Sequence, residues 1–322
     1  MSQTTEVTQA ATPMDRLDAM TDLLCMPNDH AGVRRQGERL ETEDGRVIRL
    51  ENGVPLFAEA ACSADAMAQQ EHYSKVATDY LAHLDYPQTE EYNRFFDRVT
   101  LQEVMPGDLG TVAELCCGRG EAFLLIGKDI ARGVGVDISL PMIRQAQQEH
   151  GASPIAFIQG DATMLPLKSN SFDSVFMLAG IHHVNNRLGL FNEIRRILKP
   201  GGRFYYREPV SDFWLWRLLR AVVYRLSPAL DHETERPLLR RETEPVLRAA
   251  GMEPTVWKTY GFLGFCLLMN SDVLVFNRFL RHLPGIRAIT RGFVWLDRMM
   301  LSIPGLRGAG TQVVGVARKP DV

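Results

Sequence analysis

The residues best equipped for chemistry fall at four turns. The first is Glu114-Leu115-Cys116-Cys117-Gly118-Arg119-Gly120-Glu121, in which glycines at 118 and 120 let the backbone bend sharply and approach a ligand with no Cβ in the way. Amides at the start of a following helix favour a carboxylate or phosphate there. The second is Asp137, a carboxylate placed after an apolar run to accept from a ribose diol. The third is Gly160-Asp161-Ala162, where the carboxylate can accept from an exocyclic adenine amine and the Ala162 amide can donate to a ring nitrogen. The fourth is His182-His183, with Glu208 further on; imidazole and carboxylate are groups that can take a proton from a substrate.

Strands are needed to bring these turns together. Short apolar runs at Thr111–Leu115, Gly133–Val136, Ile155–Ile158, Ser174–Leu178 and Phe204–Arg207 read as strands, with helical patterns between them, notably Leu140–His150 and Leu188–Leu198. Alternation of this kind implies right-handed crossovers and a parallel sheet covered on both faces. Helices near 213–226 and 242–250, then strands at Thr255–Tyr260 and Gln312–Ala317, complete the pattern. Helical stretches near 67–84 and 92–104 precede it. A dinucleotide fingerprint wants a small residue where this chain has Phe123, too large for close helix–sheet packing. The three strand ends therefore read as an adenosine pocket with no need for a pyrophosphate.

Composition sets outer limits. The 322 residues are about two domains long. They carry 36 Lys and Arg against 39 Asp and Glu, a net −3, so no global positive field announces a nucleic acid partner. Five cysteines without a C-x-x-C pair exclude a complete cysteine zinc site and suit a reducing compartment. The polar, acidic amino terminus lacks the charge and apolar pattern of a secretory signal. Apolar runs fall short of the ~20 residues of a membrane span. The expected location is cytoplasmic, with peripheral contact at the inner membrane face as an option.

The motifs ELCCGRG (114–120), GVDIS (135–139), GDATMLPLKSNSFDSV (160–175), LAGIHHV (178–184) and LFNEIRRILKPGGRFYYREP (190–209), in this order, resemble the class I S-adenosylmethionine-dependent methyltransferases, nearest the quinone-biosynthesis group. The resemblance implies a Rossmann-like α/β fold, a seven-stranded mostly parallel sheet with helices on both faces, and S-adenosylmethionine as cofactor. It implies that Gly118 and Gly120 face the methionine part of that cofactor, with Glu114 and its loop, Cys116 included, near the amino and carboxylate groups. Asp137 would hold the ribose hydroxyls, and Asp161 and Ala162 the adenine. Ile138 and Met142 would flank the rings or serve as core, with Leu178 beside them. Tyr73, in Glu71-His72-Tyr73-Ser74-Lys75-Val76-Ala77, matches an aromatic that covers the methionine end. His182, His183 and Glu208 are the candidates to move a proton, or else pack and close the loop.

Three regions lie outside that frame. Residues 1–20 read as a frayed tail. Residues 21–60 resemble the zinc-ribbon-like front domain of some relatives, but Cys25, Asn28, Glu41 and Asp44 stand where two C-x-x-C pairs belong, so a metal-free remnant is expected. Residues 61–322 make up the cofactor-binding domain, with helical caps at 211–252 and 263–309. The stretch 263–309 holds six arginines against Asp272 and Asp297 and is rich in Phe, Leu and Met. It and 213–226 suit contact with a membrane surface, a lid over a greasy substrate, or a homodimer face. The expected reaction is methylation of a small hydrophobic or lipid-like acceptor: a quinone or phenol, an isoprenoid or sterol-like compound, or an aminolipid. The alternatives are an RNA or protein methyltransferase and a non-catalytic cofactor-binding partner protein.

Overall fold

The computed structural model describes residues 11–104, 108–127, 130–151, 153–219, 236–269 and 275–321. Its main sheet contains β5 (Thr111–Leu115), β6 (Arg132–Asp137), β7 (Ile155–Gln159), β8 (Phe172–Leu178), β9 (Leu198–Pro209), β10 (Glu253–Tyr260) and β11 (Gln312–Arg318). Every strand expected from the sequence is present. The order is β10-β11-β9-β8-β5-β6-β7, with β11 antiparallel to both neighbours and the pairs among β5 to β9 parallel. Strand order reverses at β5, which is flanked by β6 on one side and β8 on the other. In an open parallel sheet, the carboxyl ends of the strands at such a reversal leave a crevice between diverging loops.

Four helices serve the crossovers: α4 (Glu121–Ile126), α5 (Leu140–Glu149), α6 (Arg187–Ile197) and α7 (Arg240–Ala249). Phe123 of α4 is buried, contrary to the expectation that its bulk would keep helix and sheet apart. The strand makes the room: a Cβ on Gly133 would come within 2.8 Å of the Phe123 ring, and one on Gly135 within 2.5 Å of Phe157. The small residue has moved from helix to sheet.

The front of the chain is a four-stranded antiparallel sheet, β1 (Val33–Gln36), β2 (Arg39–Thr42), β3 (Val47–Glu51) and β4 (Val54–Pro55), with the Asp44-Gly45 and Asn52-Gly53 turns between its later strands. It packs against the β7 edge. Leu56 bridges Gln159, and the Lys168 amide donates to Leu23. Leu17, Met20 and Phe57 share one apolar cluster with Ala156 and Ile158, so the front segment and the large sheet have a common core. An edge strand with open N–H and C=O groups is thereby covered.

Residues 13–20, read from sequence as part of a frayed tail, form α1 (Pro13–Met20) instead. A capping box between Thr12 and Asp15 and a proline in the first turn start it, and burial of Leu17 and Met20 holds it. Residues 1–10 lie outside the described residues. Of the candidate metal positions, Cys25 is buried, Glu41 pairs with Arg39 and Asp44 with Arg46. Among the described residues no three His, Cys, Asp or Glu side chains come together as a metal-binding group.

Two long helices, α2 (Ala64–Leu84) and α3 (Pro87–Val99), connect the front sheet to β5. The insertion before β11 folds as α8 (Leu263–Leu268), a 3-10 segment (Val275–His282) and α9 (Ile286–Ser302). Buried Asp297 of α9 accepts from the amides of Phe262, Gly264 and Phe265 and from the Tyr92 hydroxyl, tying α8, α9 and α3 together. The helix expected over 213–226 is seen at 214–219; its remainder lies outside the described residues.

Candidate active site

A cavity opens at the carboxyl ends of β5, β6, β7 and β8, under α2. Asp137, the last residue of β6, anchors it. Its Oδ2 accepts the Gly118 amide at 2.8 Å and its Oδ1 accepts the Ser139 amide at 2.8 Å. Each oxygen keeps one lone pair, enough for the two hydroxyls of one ribose. Burial pushes the Asp137 carboxyl up, and the Ser139, Gly118 and Ile138 amides oppose that.

Asp161 stands one strand over. Its Oδ1 accepts from the Thr163 amide at 2.7 Å and hydroxyl at 2.8 Å, while Oδ2 accepts the Ser63 amide at 2.8 Å. One lone pair of Oδ2 remains open, which is what a single amine needs. Ser63 also caps α2 by accepting from the Ala66 amide, so the chain leaving the front sheet is pinned on Asp161 as it enters the covering helix. Ala162, Ile138, Met142, Leu178 and Cys116 line the same cavity. Burial pushes both the Cys116 and Cys117 thiols up, as expected of packing groups.

Gly118 lines the cavity in the left-handed region, φ +52°. Gly120 does not. It is the residue before α4, at φ +86°, and a Cβ there would meet His150 Nε2 at 2.5 Å, so its glycine serves the turn rather than the ligand. Glu114 does not line the cavity either. Its buried carboxyl accepts the Ala122 amide at 2.8 Å and the Phe123 amide at 3.4 Å, capping α4 behind the cavity residues Glu121 and Asp137. The helix dipole and two unpaired amides attract it there.

The proton candidates divide clearly. Glu208 is fully buried: Oε1 accepts the Gly180 and Ile181 amides at 2.7 and 2.8 Å, and Oε2 lies 2.8 Å from His182 Nδ1. Neither Glu208 nor His182 lines the cavity. They brace the turn after β8, which leaves His183 as the histidine that faces in. Its Nε2 lies 3.3 Å from the Tyr73 hydroxyl of α2, and among the described residues its buried Nδ1 has no hydrogen-bond partner. Burial first, then the neighbouring His182 and His72, hold the His183 imidazole well below its ordinary range. It is therefore neutral near pH 7 and keeps an unprotonated ring nitrogen, while the same burial makes it a weaker base than a free imidazole.

Sequence reasoning missed Glu121, Ser63, Asp65, Gln69 and Thr163, all of which line the cavity. A signal existed for Glu121: a carboxylate at the first position of a helix that opens beside a glycine turn points at whatever that turn cradles. Its carboxyl is pushed up to about 7 by burial, with Arg119 pulling the other way. A folded value above the ordinary 4.5 means that the folded state keeps a proton which the unfolded chain loses. Stability from this group is present at low pH and lost as pH rises toward about 7. Without cofactor, Glu121→Gln should therefore be more stable than the parent by about 1–3 kcal/mol near pH 8 and converge with it near pH 4. Thermal melts at both pH values read this directly; a constant offset between the two proteins would show that the side chain does not titrate on folding.

Residues 113–206 match the family described as Methyltransferase domain. They contain every strand end just described. This segment is a methyltransferase domain. Less than half of the chain is similar to demethylmenaquinone methyltransferases: it is 29% identical over 40% of this chain and 61% of the protein from Lactiplantibacillus plantarum, and 33% identical over 45% of this chain and 60% of the one from Symbiobacterium thermophilum. The chain thus spans about 60% of the length of these curated relatives. Among solved structures it is similar to a chain from the Haloferax volcanii complex of the Trm112 methyltransferase activator with a methyltransferase, at TM-score 0.53 and 20% identity, covering 78% of this chain and 97% of that one. That likeness supports the Rossmann-like class I methyltransferase fold.

Proposed function

We propose that this protein transfers a methyl group from S-adenosylmethionine to a small hydrophobic or lipid-like acceptor. The observation that carries the reading is the pair of carboxylates at neighbouring strand ends. Asp137 offers two open lone pairs and Asp161 one, spaced along a cleft walled by Ile138, Met142, Leu178 and Ala162. That donor set fits an adenosyl group: acceptors for a ribose diol and an amine, with apolar side chains for the flat ring between them. Gly118, whose amide holds Asp137, and Glu121 line the cavity on the side of Asp137, suited to a close-approaching backbone and an ammonium.

When bound, S-adenosylmethionine supplies a methyl on a positively charged sulfur. The task left to the chain is alignment and exclusion of water. α2 covers the cavity through Ser63, Gln69 and Tyr73, and the turn braced by Glu208 supplies Gly180, His183 and Val184 opposite. Where the acceptor loses a proton, neutral His183 receives it, directly or through the Tyr73 hydroxyl. The demethylmenaquinone methyltransferases that this chain resembles support a quinone-like acceptor, as does the apolar insertion.

Calorimetry with S-adenosylhomocysteine tests the cofactor half, and absence of binding would end the reading. Transfer of labelled methyl to demethylmenaquinone or a total lipid extract in detergent micelles tests the acceptor half. Label entering RNA or protein but not lipid would replace it. His183→Ala is expected to slow transfer by about 100-fold or more, the usual yield of a general base, while S-adenosylhomocysteine affinity changes less than about threefold. Unchanged turnover in that variant would return His183 to a packing role.

A further inference from the structure

The insertion turns an apolar face outward beside arginine-lined hollows. Its inner side is satisfied: Asp297 is buried under α8, Arg287 pairs with Glu90 at 2.6 Å, and Arg291 pairs with Glu91 at 3.1 Å. The outer side of α9, opposite buried Thr290 and Asp297, carries Trp295 and Met299 four residues apart, with Ile289 and Leu296 on one flank and Arg298 on the other; exposed Ile303 follows at the helix's end. Trp295 is 64% exposed, Met299 52% and Ile303 51%; Phe279, in the preceding 3-10 segment, is 74% exposed. Leu263 and Leu267 of α8 are exposed as well.

Arg298 separates two hollows along this helix. One, of about 1060 Å³, is lined by Arg240, Arg241, Arg248, Lys258, Arg298 and Arg307 against three carboxylates. The other, of about 550 Å³, has Arg98, Arg291 and Arg298 against Glu91, with Trp295 and Met299 in its wall. Among the described residues neither the Arg298 nor the Arg307 side chain has a carboxylate partner. A chain of net charge −3 thus gathers positive charge where it also exposes aromatic and aliphatic side chains.

We propose that this face docks on an anionic lipid bilayer. Trp295, Met299 and Ile303 enter the boundary between headgroups and acyl chains, and Arg298 and Arg307 meet lipid phosphates in the flanking hollows. No helix among the described residues is long and apolar enough to cross a membrane, so the attachment is in the plane of the surface. Charge complementarity selects this occupant. A second copy of the chain on this face would set arginine-lined hollows against arginine-lined hollows, and a nucleic acid gains nothing from Met299 and Ile303. The inference extends the lipid-acceptor reading, and vesicle binding is measured without turnover, so the two can fail separately.

The full chain should sediment with vesicles of phosphatidylcholine and phosphatidylglycerol at low salt, and much less at high salt or with phosphatidylcholine alone. Arg298→Glu combined with Arg307→Glu is expected to cut partitioning by at least about tenfold, as is Trp295→Ala combined with Met299→Ala. The Arg298→Lys, Arg307→Lys pair should keep most of it. All are exposed positions, and unchanged melting temperatures will show that folding is intact. Equal binding to neutral vesicles, no binding at all, displacement by soluble glycerophosphoglycerol, or a dimer lost on changing Trp295 would each overturn the proposal.

Discussion

Asp137→Ala should weaken S-adenosylhomocysteine binding by about 100-fold or more, the largest loss expected from any single substitution in the cavity. Two contributions combine. A hydrogen bond to a charged group is worth about 1.5–3 kcal/mol, and this carboxylate has lone pairs for two ribose hydroxyls. It also fixes the shape of the site, since its oxygens hold the Gly118 and Ser139 amides, one from the turn after β5 and the other from the start of α5. Asp137→Asn separates these effects. Its oxygen can still take one of the two amides, while its NH2 group faces the other donor, so an intermediate loss is expected. Calorimetry on the parent and both variants gives the ranking; an Asp137→Ala protein that binds within threefold of the parent would place the ribose elsewhere.

Glu208→Ala is expected to cost about 3–5 kcal/mol of folding stability, as removal of one partner from a buried charged network does. The side chain is fully buried and accepts from the Gly180 and Ile181 amides, with His182 Nδ1 beside it, so its removal strands several buried donors. Denaturant unfolding should show a lower midpoint with an unchanged slope. The turn also carries His183, so at temperatures where the variant stays folded its turnover should fall while S-adenosylhomocysteine affinity, set by Asp137 and Asp161 on other strands, changes little. A small stability loss together with lost turnover would instead make Glu208 a direct participant in the reaction.

Both expectations depend on where a carboxylate points, and there the reading from sequence was uneven. Asp137 and Asp161 were legible because part of what holds each is local: Asp137 ends β6 and Asp161 follows β7 by two residues, and each takes an amide from the residue two positions on, although the Gly118 and Ser63 amides reach them from elsewhere in the chain. Gly118 was legible as a turn for the same reason. Glu114 and Glu208 were not. Both are acidic residues at strand ends, the same pattern in one dimension, yet both turn inward to amides of other elements. For Glu208 those amides lie 27 and 28 residues away. The capping box of Thr12 and Asp15 was readable and went unread, because a polar, Thr- and Ala-rich start looks like a tail until Leu17 and Met20 are seen to be buried.

By itself the sequence determined the seven strands, their alternation with helices and the turns at 118, 137 and 161, since hydrophobic period and turn chemistry depend on neighbours along the chain. Tertiary structure decided which of two adjacent histidines faces the cavity, that the front sheet closes the β7 edge rather than standing apart, and that the arginines of the insertion divide between pairs with Glu90 and Glu91 and open hollows. Those outcomes depend on donors and acceptors that meet across distant segments, where the unmet hydrogen bond of a buried group, and not any local preference, sets the direction of a side chain.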